Sequence, residues 1–227
     1  MKSRSRISLL IQALIRVIAG MALFMALLFL PSGTTDFWQA WAYLALLFSM
    51  MVAAMVLFMV RDPELLERRI TGRESQPGQG RIVLAASVLI IIAYLFPGFD
   101  KRFGWSPAST ALSLLGFVLV TFGYIFFLFT LWTNRYAARV VDVEAEQQAI
   151  TTGPYAVVRH PMYLAITILF AFTPLALGSI WGVLPMLLLP LVLAARIAGE
   201  EKLLRKELKG YEDYCRDVPH RMIPFLW

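Results

Sequence analysis

The stretch from Phe37 to Val60, FWQAWAYLALLFSMMVAAMVLFMV, carries no Asp, Glu, Lys or Arg, and its reading decides the fold. A helix of roughly twenty apolar residues spans the hydrocarbon layer of a bilayer, and a buried soluble helix seldom needs such length. A second charge-free run, Pro107 to Trp132, repeats the pattern. Apolar residues make up 59% of the 227-residue chain and charged residues only 16%, too lopsided for a soluble core. The fold class expected is therefore all-α, a polytopic transmembrane bundle.

Working outward, spanning helices are expected near 9–30, 37–60, 82–99 and 107–132. The last apolar block, 162–198, would reach ~55 Å as one helix, nearly twice the ~30 Å hydrocarbon core. Pro174 and Gly178 offer a break within it. Two helices, about 162–176 and 180–198, are expected there as a tight hairpin, giving about six in all. Between the second and third spans, Arg61 to Arg69 suggests a short amphipathic helix, with Gly72, Pro77, Gly78 and Gly80 in a loop after it. Residues 1–132 form one expected region and 133–227 the other.

Lys and Arg fix the expected orientation. The N-terminal tail, loop 61–81, segment 133–161 and the region from Arg196 onward together hold eighteen of them. The opposite side holds only Lys101 and Arg102, with Arg16 left inside the first helix. By the positive-inside rule both termini are expected in the cytoplasm. No small-residue cleavage site follows Lys2, Arg4 and Arg6, so a retained first helix is expected. The net charge of +6 is spread over these loops, which suits anionic lipid headgroups and not nucleic acid. One cysteine, Cys215, and two histidines, His160 and His220, speak against a disulfide or a metal centre.

Polar residues concentrate around the final apolar block. Pro161 suits the first turn of a helix, placing His160 at its mouth and Tyr163 within its first turn. A helix N-terminus favours an anion. Arg196 and Glu200 are four apart and share a helix face. His160 and Glu200 each lie twenty residues from position 180, so an antiparallel hairpin returns them to one depth at the cytoplasmic boundary. There they would form a pocket that is basic, acidic and aromatic at once.

The string Thr152-Gly-Pro-Tyr155-Ala-Val-Val-Arg159-His160-Pro161-Met162-Tyr163, then Arg196-Ile-Ala-Gly-Glu200-Glu201, then Gly210-Tyr-Glu-Asp-Tyr214, resembles the isoprenylcysteine carboxyl methyltransferases. Membrane phospholipid N-methyltransferases share much of this pattern, and the similarity covers roughly residues 130–227. The resemblance implies S-adenosylmethionine as cofactor and a lipid or prenylated acceptor. Carried over by position, it implies cofactor contacts from Gln147, Gln148, Ala149, Ile150, Tyr155, His160, Pro161, Met162, Tyr163, Glu200 and Glu201, although the family usually has His where Gln147 stands. Arg196 would face the substrate, and Arg196 and His160 would take part in catalysis.

Those residue types suit the chemistry implied. His160 and the helix N-terminus can receive a carboxylate, Glu200 can accept from hydroxyls or an ammonium, and Tyr155 or Tyr163 can offer an aromatic face to a sulfonium. A carboxylate acceptor needs alignment and loss of water, with no base. An amine acceptor needs one, from His160 or Glu201. The ending Tyr211 to Pro224 also resembles membrane sterol reductases that use NADPH, which is the competing reading.

Overall fold

The structure is a computed structural model that describes residues 6–71, 79–106, 109–134, 136 and 148–227. All regular elements among them are helical. Helix α1 runs Arg6–Ser32, α2 Trp38–Arg61, α3 Pro63–Thr71, α4 Gln79–Phe103 and α5 Thr110–Thr133. A 3₁₀ turn over Gly153–Ala156 leads to α6, Pro161–Ala176. Helices α7 (Val183–Met186), α8 (Leu189–Glu207) and α9 (Tyr211–Asp217) follow.

Among the described residues, five segments are long and apolar enough to cross a membrane: α1, α2, α4, α5 and the α7–α8 stretch Val183–Glu207. At 16 residues, α6 is shorter, ~24 Å at ~1.5 Å per residue. The expected six are thus five of full length and one short. Many of their apolar side chains point outward, among them Ile18, Val56, Val118 and Leu191, as a surface solvated by lipid requires. The expected amphipathic helix is α3. Asp62 caps it by accepting from the Leu65 N–H at 3.0 Å, Pro63 opens it, and Leu65 and Ile70 face inward.

Two expectations need correction. Gly80 lies inside α4, which starts at Gln79, while 72–78 lie outside the described residues. The last two long helices are also not a tight hairpin. α6 packs chiefly along α5, and α8 along α4. Glycines cause the first pairing: a Cβ on Gly116 would sit 2.3 Å from the Ala176 nitrogen, and one on Gly123 2.8 Å from the Leu169 nitrogen. Spaced two turns apart, these glycines let the α6 backbone lie directly on α5. At the far end of α6, Gly178 turns the chain with φ +79°. The buried Asp100 carboxylate accepts from the Ser106 and Ser179 hydroxyls and the Ser106 N–H, fixing that turn against α4. Mid-bundle, Tyr43 of α2 bonds to Tyr94 of α4 at 3.0 Å and to Thr173 of α6 at 2.9 Å. α6 is thereby held at its side, its middle and its end, and its N-terminus is presented at the Arg-rich face of the bundle.

Candidate functional site

The mount of the site is the chain just before α6. Gly153 adopts φ +58°, and the buried Tyr214 hydroxyl of α9 donates to the Tyr155 carbonyl at 2.7 Å. The Arg159 and His160 N–H groups donate to the carbonyls of His220 (3.0 Å) and Arg221 (2.7 Å). Pro161 begins α6, as its missing N–H permits. Burial pushes the Tyr155 hydroxyl up to about 12 and raises those of Tyr211 and Tyr214 as well. All three therefore stay protonated at neutral pH.

Two polar networks meet here. In the first, Glu201 is held by two guanidinium groups, with Arg159 Nε donating to Oε1 at 2.8 Å and Arg221 Nε to Oε2 at 3.1 Å. Arg159 Nη1 also donates to the Val218 and Pro219 carbonyls at 2.7 and 2.9 Å. His160 Nε2 approaches Glu201 Oε1 to 3.4 Å, close enough for charge to matter but without hydrogen-bond geometry. Glu201 and Arg159 side chains are each only 5% exposed, so this is a buried ion cluster.

The second network is a chain across three helices. Gln79 of α4 accepts from Arg196 Nη1 at 3.5 Å and donates to the Arg196 carbonyl at 3.4 Å. Arg196 Nε donates to the Tyr163 hydroxyl at 2.9 Å, and that hydroxyl donates to Glu200 Oε2 at 2.7 Å. Gly199 makes room for it, since a Cβ there would sit 1.9 Å from Gln79 Nε2. Tyr163 and Arg196 are buried and Glu200 is half-buried.

The structure thus brings together His160, Pro161, Tyr163, Arg196, Glu200 and Glu201, with one correction to their pairing. His160 lies against Glu201, and Glu200 turns to Tyr163. Neighbouring helical positions point ~100° apart, so two adjacent glutamates at one depth must serve different partners. Arg196 and Glu200 do share a face, joined through the Tyr163 hydroxyl. Tyr155 is buried beside the site, and Met162 Sδ accepts from Arg69 Nη1 at 3.9 Å. Ala149 packs on the cluster of Leu208, Tyr211, Tyr214 and Val218, Ile150 is half-buried and Gln148 is exposed. Gln147 lies outside the described residues.

Sequence reasoning missed Gln79, Arg159, Tyr211 and Arg221. Arg159 stands inside the quoted string and its position was the available signal. Gln79 sat in a tract read as loop, and nothing local marks its contact with a helix over a hundred residues away. Two buried polar atoms, His160 Nε2 and Tyr211 Oη, have no hydrogen-bond partner among the described residues. Such groups are costly unless something pairs with them. A half-buried carboxylate, an imidazole nitrogen without a hydrogen bond, a guanidinium and a helix N-terminus therefore gather around Tyr163, whose ring centre is 5.8 Å from that of His160, a donor and acceptor set suited to a zwitterionic ligand.

Residues 112–209 match the family model described as phospholipid methyltransferase, a span that includes α6, α8 and all but the first two residues of α5. No curated protein matches the sequence. Among solved structures, the chain is similar to the eukaryotic intramembrane Ras methyltransferase, an isoprenylcysteine carboxyl methyltransferase. Identity is 19% and the TM-score 0.54, over 94% of this chain and 77% of that one. The family match takes in less than half of the chain, and the likeness to the methyltransferase structure is one of fold.

Proposed function

We propose that this protein is an S-adenosylmethionine-dependent methyltransferase acting on a lipid or lipidated acceptor, most like the carboxyl methylation of isoprenylcysteine. The observation that carries this reading is the Tyr163 hydroxyl, shared by Arg196 on one side and Glu200 on the other. The residues present fit the cofactor. His160 Nε2 and the N–H groups opening α6 suit its carboxylate, and Glu200 suits its ammonium or ribose hydroxyls. When bound, the cofactor supplies an electrophilic methyl group on a sulfonium. Tyr155 and Tyr163 would offer aromatic faces to it, with Pro161, Met162 and the 148–150 segment beside them.

Arg196 sits four residues before Glu200, one turn deeper along α8, and orients an acceptor carboxylate from there. Gln79 holds the Arg196 guanidinium and carbonyl, so the N-terminal half completes a site otherwise built by 133–227. A carboxylate is already nucleophilic, and the burial of this wall strips water from it. The match to the phospholipid methyltransferase model favours a second reading with an amine acceptor, in which His160 Nε2 takes the proton.

The test is binding and melting in detergent. S-adenosylhomocysteine should raise the melting temperature, because a ligand of the folded state stabilises it. Glu200→Gln should weaken that binding about ten- to a hundredfold, the worth of a charge-assisted hydrogen bond at ~1.5–3 kcal/mol. Arg196→Ala should change nucleoside affinity by only a few-fold and lower turnover instead. A shift with NADPH and none with the nucleoside would replace this reading by a reductase. If neither substitution alters binding, the Arg196–Tyr163–Glu200 chain only ties α6 to α8.

Both termini are proposed to be cytoplasmic, on the eighteen-to-two division of basic residues. Cysteines introduced at Ser75 and Ala145 should then resist impermeant reagents in intact cells. Labelling of either from outside would reverse the topology.

A further inference from the structure

We propose that Met222–Trp227 is a re-entrant turn seated in the bilayer, presenting Phe225 and Leu226 to lipid acyl chains beside the site. These residues lie beyond the matched span 112–209. The chain descends at this point. Arg221 sits in the ion layer with Glu201, but Met222 is 1% exposed and its Sδ lies 4.0 Å from Thr167 Oγ1. Thr167 is seven positions past His160, so Met222 stands ~10 Å below the ion layer at ~1.5 Å per residue. Ile223 and Trp227 pack on the cluster of Met222, Tyr163, Leu193 and Ile197, as do Ala86 and Leu89. Ala86 stands seven positions beyond Gln79, the α4 residue bonded to Arg196, so the turn also packs well inside the apolar part of α4.

Four of the five backbone N–H groups of the turn are paired internally, which lowers the cost of seating it in hydrocarbon. The Met222 and Ile223 N–H groups both donate to the Trp227 main-chain oxygen at 3.0 Å. Those of Leu226 and Trp227 donate to the Ile223 carbonyl at 3.2 and 3.1 Å, and Pro224 has no N–H. Closing so tight a turn puts Phe225 at φ +62°, unusual for a bulky residue. The result is that Phe225 and Leu226 are 89% and 78% exposed, an apolar tip that water would penalise and acyl chains would not. Just above, the Arg221 guanidinium lies 5.3 Å from the centre of the Trp227 ring, a cation and an indole at the depth where such side chains mark a membrane interface. Higher still, α9 exposes Glu212, Asp213, Arg216 and Asp217, so polarity changes over a few residues.

The test places an environment-sensitive fluorophore on Leu226→Cys in a Cys215→Ser background, reconstituted in phosphatidylcholine vesicles. Arg216→Cys in the same background is the aqueous reference. At 226 the emission should be blue-shifted and quenched by doxyl-labelled lipid more than by iodide, with the order reversed at 216. Iodide quenching at 226 equal to that at 216 would overturn the proposal. Phe225→Cys, labelled in the same way, gives a second reading should the first variant not fold. Neither measurement depends on activity.

Discussion

Replacing Glu201 with alanine is expected to cost roughly 3–5 kcal/mol, the toll of leaving a buried guanidinium without its counter-charge. At ~2–4 °C per kcal/mol for a chain of this size, the melting temperature in detergent should fall by roughly 6–20 °C. The physical cause is specific. Arg159 keeps its bonds to the Val218 and Pro219 carbonyls in the variant, so its charge cannot swing out to water without breaking them. Arg221, 39% exposed, can. The exposed ion pair of Arg216 with Asp213 is the control, and Asp213→Ala should change stability by less than ~1 kcal/mol. Glu200→Gln, next in sequence, should alter nucleoside binding and leave the melting temperature almost unmoved. If Glu201→Ala melts like the wild type, the buried cluster is not what fixes the mouth of α6.

Gly116→Val is expected to be the most disruptive change of a single small residue. Its first added carbon would lie 2.3 Å from the Ala176 nitrogen and 2.7 Å from the Ala176 Cα, both backbone atoms that move only if a helix moves. Overpacking ordinarily costs ~1–3 kcal/mol, and here the clash is with main chain and not with a flexible side chain, so the upper part of that range or beyond is expected. The variant should lose the monodisperse peak on size exclusion, or melt far earlier, and lose nucleoside binding with it, since α6 carries His160 and Tyr163. Gly20→Ala meets open space and should be silent. Equal behaviour of the two variants would show that α5 and α6 are not in backbone contact.

How much of this was legible beforehand depended on whether the signal was local. Charge-free runs located α2 and α5 to within a few residues because hydrophobic length is itself the physical requirement. Boundaries failed where charge was taken as an end. α4 runs on through Asp100, Lys101 and Arg102 because Asp100 finds partners in Ser106 and Ser179, a contact that no local pattern announces. Counting back from the turn placed His160 and Glu200 at one depth and paired them, yet Glu201 is the one against His160, since depth and facing direction are separate coordinates on a helix. The neighbour of α6 was misjudged because adjacency in sequence was taken as adjacency in space, whereas Gly116 and Gly123 had already reserved that groove. Gln79 was beyond reach, its role being created wholly by the fold.

The pairing of Arg159 and His160 with His220 and Arg221 sets an order in time. Sixty-one positions separate His160 from Arg221, so at ~5–20 residues per second the ribosome needs roughly 3–12 s between them. Throughout that interval the spanning helices can already be in place, while the His160 amide still awaits its acceptor. The site is therefore completed only after the spanning helices that carry it. A nascent chain halted before Pro219 would hold all five full-length spans and yet have nothing with which to greet a ligand.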